Sequence, residues 1–162
     1  MKYLMLGVGA VLGLSAIAAT AAAETPLMAP IHQFVDNFDK GDQKTAAMAF
    51  APTGVVIVDE IPPYRWAGPH ALQQWGKDIV ATSGKEGLTE VMVTLGVATR
   101  EDINGDSGYV VVPAVFSFKE KGTAKREAAQ MVYTLKQLAG HWRITGWTWA
   151  AGTIQPAAAP AQ

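Results

Sequence analysis

Asp59 and Glu60 stand side by side where the apolar run Val55 to Val58 ends, and Pro62-Pro63, Tyr64, Trp66 and Gly68-Pro69 follow directly. A carboxylate at the end of a buried strand, ringed by aromatic side chains, gives a small pocket one polar group. Burial raises the pKa of such a group and makes it a better general base. Asp59 therefore has two readings. It is a base or polar anchor for a ligand, or it is a local acceptor for turn and cap N–H groups. Successive strand residues face opposite ways, so only one of the two acids is expected to look inward. Asp59 shares parity with Val55 and Ile57, Glu60 with Val56 and Val58, and parity alone does not choose. Tyr64, Tyr133 and His32 are the candidate proton donors to accompany Asp59.

The rest of the chain holds little other polar chemistry. His32, His70 and His141 are far apart and form no metal-ligand spacing, so no metal is expected. Asn104-Gly105-Asp106 lacks the later bidentate Glu of a calcium loop and reads as a hairpin turn. Neither a phosphate-cradling glycine loop nor a nucleophile elbow is present, and no cofactor is implied. The aromatic stock is larger. Phe34, Phe38, Trp66, Trp75, Tyr133, Trp147 and Trp149 are candidate ligand-contacting rings, with core packing as the competing role of each.

The elements that would position these residues follow from periodicity. Thr25-Pro26 starts a helix whose Leu27, Ile31, Phe34, Val35 and Phe38 share one face, and Gly41 ends it. Asp42 caps a shorter helix through Phe50. Residues 55–60 read as a strand and Tyr64 to Trp66 as a short second one. Gly68-Pro69 opens a third helix, with Leu72, Trp75 and Ile79 on one face and an end near Ser83-Gly84. Four β-rich runs follow, Leu88–Thr99, Gly108–Lys119, Ala124–Gln137 and His141–Ala150, joined by tight turns. Short connections between long strands imply an antiparallel meander, and the whole order implies an α+β domain with helices covering one face of the sheet. On the last run Trp142 and Ile144 fall on one parity, Trp147 and Trp149 on the other. Val110–Phe118 is likewise apolar on both parities, with Pro113 marking a bulge or edge. Helices cover only one face, so a second copy packed sheet to sheet, a homodimer, is the expected second cover.

The chain has 162 residues, room for one domain. Lys2, the apolar stretch Leu4 to Ala19 and the small residues Ala21-Ala22-Ala23 before Glu24 have the layout of a cleavable signal peptide over 1–23. The expectation is a periplasmic or secreted protein. The same stretch would touch the membrane only if it stayed uncleaved. Without Lys2 the 13 Lys and Arg fall to 12 against 14 Asp and Glu, which offers no electrostatic footprint for nucleic acid. There are no cysteines, so the domain over 24–152 must be held by its core alone. The tail over 153–162, rich in Ala and Pro, reads as disordered.

Three pieces of sequence resemble the nuclear transport factor 2-like superfamily, which includes polyketide-cyclase-like and ketosteroid-isomerase-like proteins. They are Phe38-Asp39-Lys40-Gly41-Asp42 at the end of the first helix, Asp59 followed by Gly68 and Ala71-Leu72, and the closing Gly140-His141-Trp142-Arg143-Ile144. Together they span about residues 27–150. The resemblance implies a cone-shaped, curved, mainly antiparallel sheet with helices packed on its concave face and a pocket between them. It also selects Asp59 over Glu60, because ketosteroid-isomerase-like enzymes carry their base aspartate there. Those enzymes hold the developing oxyanion with a tyrosine on the first helix and a second, protonated acid. Phe34 stands at the tyrosine's place, and the apolar part of the later strands offers no evident second acid. A base without an oxyanion stabiliser is a poor catalyst. The expected function is thus a small-molecule-binding domain for a hydrophobic or aromatic ligand. A cofactor-independent isomerase, cyclase or dehydratase using Asp59, and a protein-interaction domain acting through its sheet face, are the alternatives.

Overall fold

The computed structural model describes residues 25–157. The expected signal peptide lies outside the described residues. Helix α1 spans Met28–Asp39 and buries Met28, Pro30, Ile31, Phe34 and Val35, the face that the apolar spacing marks. It starts later than Thr25-Pro26 suggested, because those residues form the turn before it: Met28 N–H donates to Thr25 O and Leu27 N–H to Thr25 Oγ1. Helix α2, Gln43–Ala47, is capped as expected, with Asp42 accepting from Thr45 N–H at 3.0 Å. Helix α3 covers Ala71–Glu86 and runs past Ser83-Gly84. It ends where Gly87 takes a left-handed φ of 70°, the conformation glycine adopts without steric cost.

The strands are β1 (Val56–Val58), β2 (Arg65–Ala67), β3 (Leu88–Leu95), β4 (Arg100–Asn104), β5 (Ser107–Glu120), β6 (Thr123–Leu138), β7 (His141–Ala151) and β8 (Gln155–Pro156). They form one curved, mostly antiparallel sheet in the order β2-β1-β7-β6-β5-β3, with β4 also on β5 and β8 on β6. The α+β cone expected from the sequence is the observed architecture. Two details differ. The run Leu88–Thr99 ends early, at Leu95, and an additional strand, β4, follows it; β3 and β4 pair with opposite halves of β5. The tail expected to be disordered from Thr153 contributes β8, whose Gln155 and Pro156 pair with Arg126 and Lys125.

The core lies between α1, α3 and the inner sheet face. On β6, Ala129, Met131, Tyr133 and Leu135 alternate inward. Opposite them on β7 stand Ala151, Trp149, Trp147 and Ile144, and the register slips between Thr134 and Leu135. Thr145 is the extra residue of this bulge, and it changes which parity faces in. Trp142, Ile144, Trp147 and Trp149 therefore all lie on the inner face, across from Gln137, Leu135, Tyr133 and Met131. The bulge accounts for the two apolar parities of β7 within a single chain.

Candidate functional site

Strand β1 runs parallel to β7, with Ile57 opposite Trp147. Beyond Val58 the ladder ends, and the chain loops through the cis Pro62-Pro63 bond before β2. Asp59 N–H donates to Tyr64 O at 3.1 Å, which closes this loop. Because residues 59 and 60 lie past the strand, strict alternation no longer applies. Both Asp59 and Glu60 line the same cavity, against the expectation that only one would face inward.

This inner cavity, about 80 Å³, lies between α1, α3 and the sheet. Phe34 and Phe38 from α1, Trp75 and Ile79 from α3, and Phe116, Met131, Trp147 and Trp149 from the sheet supply its apolar walls. A wider groove of about 600 Å³ between α2, α3 and the start of β3 shares Phe34, Phe38, Trp75, Ile79, Ser83 and Val91 with it. The groove is the larger space, but the carboxylates belong to the inner cavity, so the inner cavity is the candidate site. The rings pack edge to face around it: Trp75 and Trp147 at 5.1 Å, Phe34 and Trp75 at 6.1 Å. Such pairs each add about 0.5–1.5 kcal/mol beyond the area they bury.

Asp59 is buried, and each carboxylate oxygen accepts one hydrogen bond. Trp75 Nε1 donates to Oδ2 at 2.7 Å and the Glu60 N–H to Oδ1 at 2.7 Å. Burial pushes the Asp59 carboxyl above its ordinary range, and those two donors only partly offset it. Glu60 sits exposed at the cavity mouth with its carboxyl partly desolvated. That desolvation, the facing Glu127 carboxyl and the nearby Asp59 and Glu86 push it up to about 7.

Glu127 is the residue that the sequence reading passed over. It is 1% exposed, opposite Phe116 on β5, and accepts from Trp149 Nε1 at 3.3 Å. It places a buried acid on the later strands, whose apolar part offered no evident second acid in the sequence. The signal was present: Glu127 shares parity with Ala129, Met131, Tyr133 and Leu135.

The remaining candidates divide clearly. Phe34, Phe38, Asp59, Trp75, Trp147 and Trp149 come together around the cavity. Trp66 does not; it is buried on β2, where its Nε1 donates to Asp78 Oδ2 at 2.8 Å. Tyr133 is fully buried and does not line the cavity; its hydroxyl donates to Met131 Sδ at 3.3 Å, and desolvation pushes its pKa up. Tyr64 is exposed on the loop, at a left-handed φ of 69°, and His32 is half-buried on α1; neither lines the cavity.

A curved sheet with one buried aspartate in an aromatic cavity under two helices defines a class of small pocketed α+β domains. No family model and no curated protein matches the sequence. Solved structures do. A type 2 hexachlorocyclohexane dehydrochlorinase (LinA) is 11% identical with a TM-score of 0.67, covering 80% of this chain and 84% of that one. A nuclear transport factor 2-like superfamily protein from Salmonella enterica is 12% identical with a TM-score of 0.63, over 76% and 87% of the two chains. A ketosteroid isomerase-like protein from Erwinia carotovora is 13% identical with a TM-score of 0.60, over 78% and 94%. The protein has the nuclear transport factor 2-like fold.

Proposed function

We propose that this protein binds a small, flat, mainly apolar molecule in the inner cavity, with Asp59 as its polar anchor. The observation that carries this reading is one buried carboxylate, held by an indole N–H, inside a wall of phenyl and indole rings. Export through the leader and pairing of two copies through the outer sheet face belong to the same proposal. The test is intrinsic tryptophan fluorescence titrated with small aromatic probes, since Trp75, Trp147 and Trp149 line the cavity. Saturable quenching that Trp147→Ala weakens supports the reading; no saturable response to any probe refutes it.

A second reading has its own support. Asp59 is desolvated, and Glu60, whose carboxyl is pushed up to about 7, lines the same cavity, so a candidate base and a candidate acid occupy one site. Cofactor-independent isomerisation, cyclisation or elimination would use Asp59 as base and Glu60 as acid. The fold neighbours include a dehydrochlorinase and a ketosteroid isomerase-like protein, whose activities stay theirs. Asp59→Asn separates the readings: retained probe affinity with loss of a measured turnover supports catalysis, and an unchanged turnover excludes it. An interaction domain working through the sheet face remains the third possibility, favoured by a cavity that takes no probe.

A further inference from the structure

Among the described residues one buried side-chain polar atom has no hydrogen-bond partner, Trp147 Nε1. Its residue is 4% exposed, and its indole forms part of the inner cavity wall together with Asp59. The other two indoles of that wall differ. Trp75 donates to Asp59 and Trp149 to Glu127. Three indoles thus ring the cavity, two spent on protein carboxylates and one left unspent.

Packing alone does not explain an indole at this position. Trp147 meets Phe34 at 5.8 Å and Trp75 at 5.1 Å between ring centroids, and both contacts need only an aromatic ring. A phenyl group would make them without burying a donor that nothing accepts, which native proteins seldom do. We infer that Trp147 Nε1 is the hydrogen-bond donor for an acceptor oxygen on the ligand. This rests on the proposed role of the cavity as a ligand site.

The surroundings narrow the chemistry of that oxygen. Asp59 and Glu60 line the cavity and Glu127 lies behind Trp149, while no Lys, Arg or His lines it. A carboxylate or phosphate guest would meet these acids with no compensating cation, so an anion is disfavoured. The fitting ligand class is a neutral, flat molecule bearing a carbonyl or similar oxygen. Phe34, in ring contact with Trp147, carries no hydroxyl, so the donor on this side of the cavity is the indole.

The experiment uses two probes of one shape: acetophenone, and α-methylstyrene, in which a C=CH2 group replaces the C=O. Their affinities for the purified protein are compared while the indole N–H signals are followed by ¹H–¹⁵N NMR, with Trp147 assigned by triple-resonance spectra. Acetophenone is expected to bind about tenfold tighter and to move the Trp147 signal downfield, the size of effect one buried neutral hydrogen bond produces. In Trp147→Phe the two probes should bind alike. Equal affinities with an unmoved Trp147 signal overturn the inference and leave the cavity as an apolar site. Failure of both probes to bind overturns the ligand-site reading and this inference with it. Should Trp147→Phe not fold, the signal and the affinity ratio in the unsubstituted protein decide alone.

Discussion

Trp75→Phe tests whether the buried Asp59 is held as a charge. The substitution keeps a ring near Phe34, Phe38 and Trp147 but removes the 2.7 Å donor to Asp59 Oδ2. A hydrogen bond to a charged acceptor contributes about 1.5–3 kcal/mol, and trimming the ring contacts adds about 1 kcal/mol, so a loss of about 3 kcal/mol is expected near neutral pH. The pH dependence follows from the direction of the Asp59 shift. Its folded pKa lies above the unfolded value of 3.8, so its ionisation costs stability as pH rises through the interval between the two. That cost is absent below 3.8 and complete above the folded pKa. Losing the indole donor raises the folded pKa further and widens the interval. Urea unfolding of Trp75→Phe should therefore show a larger loss at about pH 8 than at about pH 4.5. In an Asp59→Asn background the loss should shrink to that of a neutral pair, about 1 kcal/mol for the bond. Equal losses at both pH values, or a coupling below about 0.5 kcal/mol in the double-mutant cycle, would refute the charge-holding role.

Three further outcomes are expected. Glu127→Gln removes the facing carboxyl, so the Glu60 midpoint near 7 should fall, read by carboxyl ¹³C NMR; an unmoved midpoint would show that Glu127 does not act on it. Tyr133→Phe deletes a hydroxyl whose partner among the described residues is a thioether, so stability should change by less than about 1 kcal/mol and probe affinity not at all. A tenfold loss of affinity would return Tyr133 to the site. Gly146→Ala places a Cβ 2.9 Å from Val56 O, where β1 meets β7, and should cost about 1–3 kcal/mol in thermal or urea unfolding. An unchanged midpoint would mean that the β1–β7 junction yields at no cost.

Most of the architecture was legible because it rests on period. The Leu27 to Val35 stripe, the Asp42 cap and the long alternating runs each express a local rule, and the helices and meander follow from them. The parallel pairing of β1 with β7 did not, since it joins segments about ninety residues apart with no local signature. At the site, Asp59 and its aromatic company could be read from the sequence, but the partner of Asp59 could not. Only the packing of α3 on β1 brings the Trp75 indole to it. Alternation misled twice, and for one reason. It holds inside a regular ladder and fails beyond the end of β1, where Glu60 turns inward, and across the β7 bulge. Glu127 was the opposite case, where alternation was informative but a charged residue in a Lys-Arg-Glu run drew no attention.

Thr145, the added residue of that bulge, works as a change of phase in the last long strand. Upstream of it Trp142 and Ile144 meet the inner layer in one phase; downstream Trp147 and Trp149 meet it in the other. Were Thr145 paired as an ordinary ladder residue instead of being set aside in a bulge, one of the two segments would rotate outward. If the downstream segment turned, the cavity would lose two of its indole walls, and the outer sheet face would gain an indole stripe beside Val132. A protein that hides its aromatic wealth would then display it, exchanging a cavity wall for an exposed apolar stripe. The whole difference would lie in how one threonine is paired.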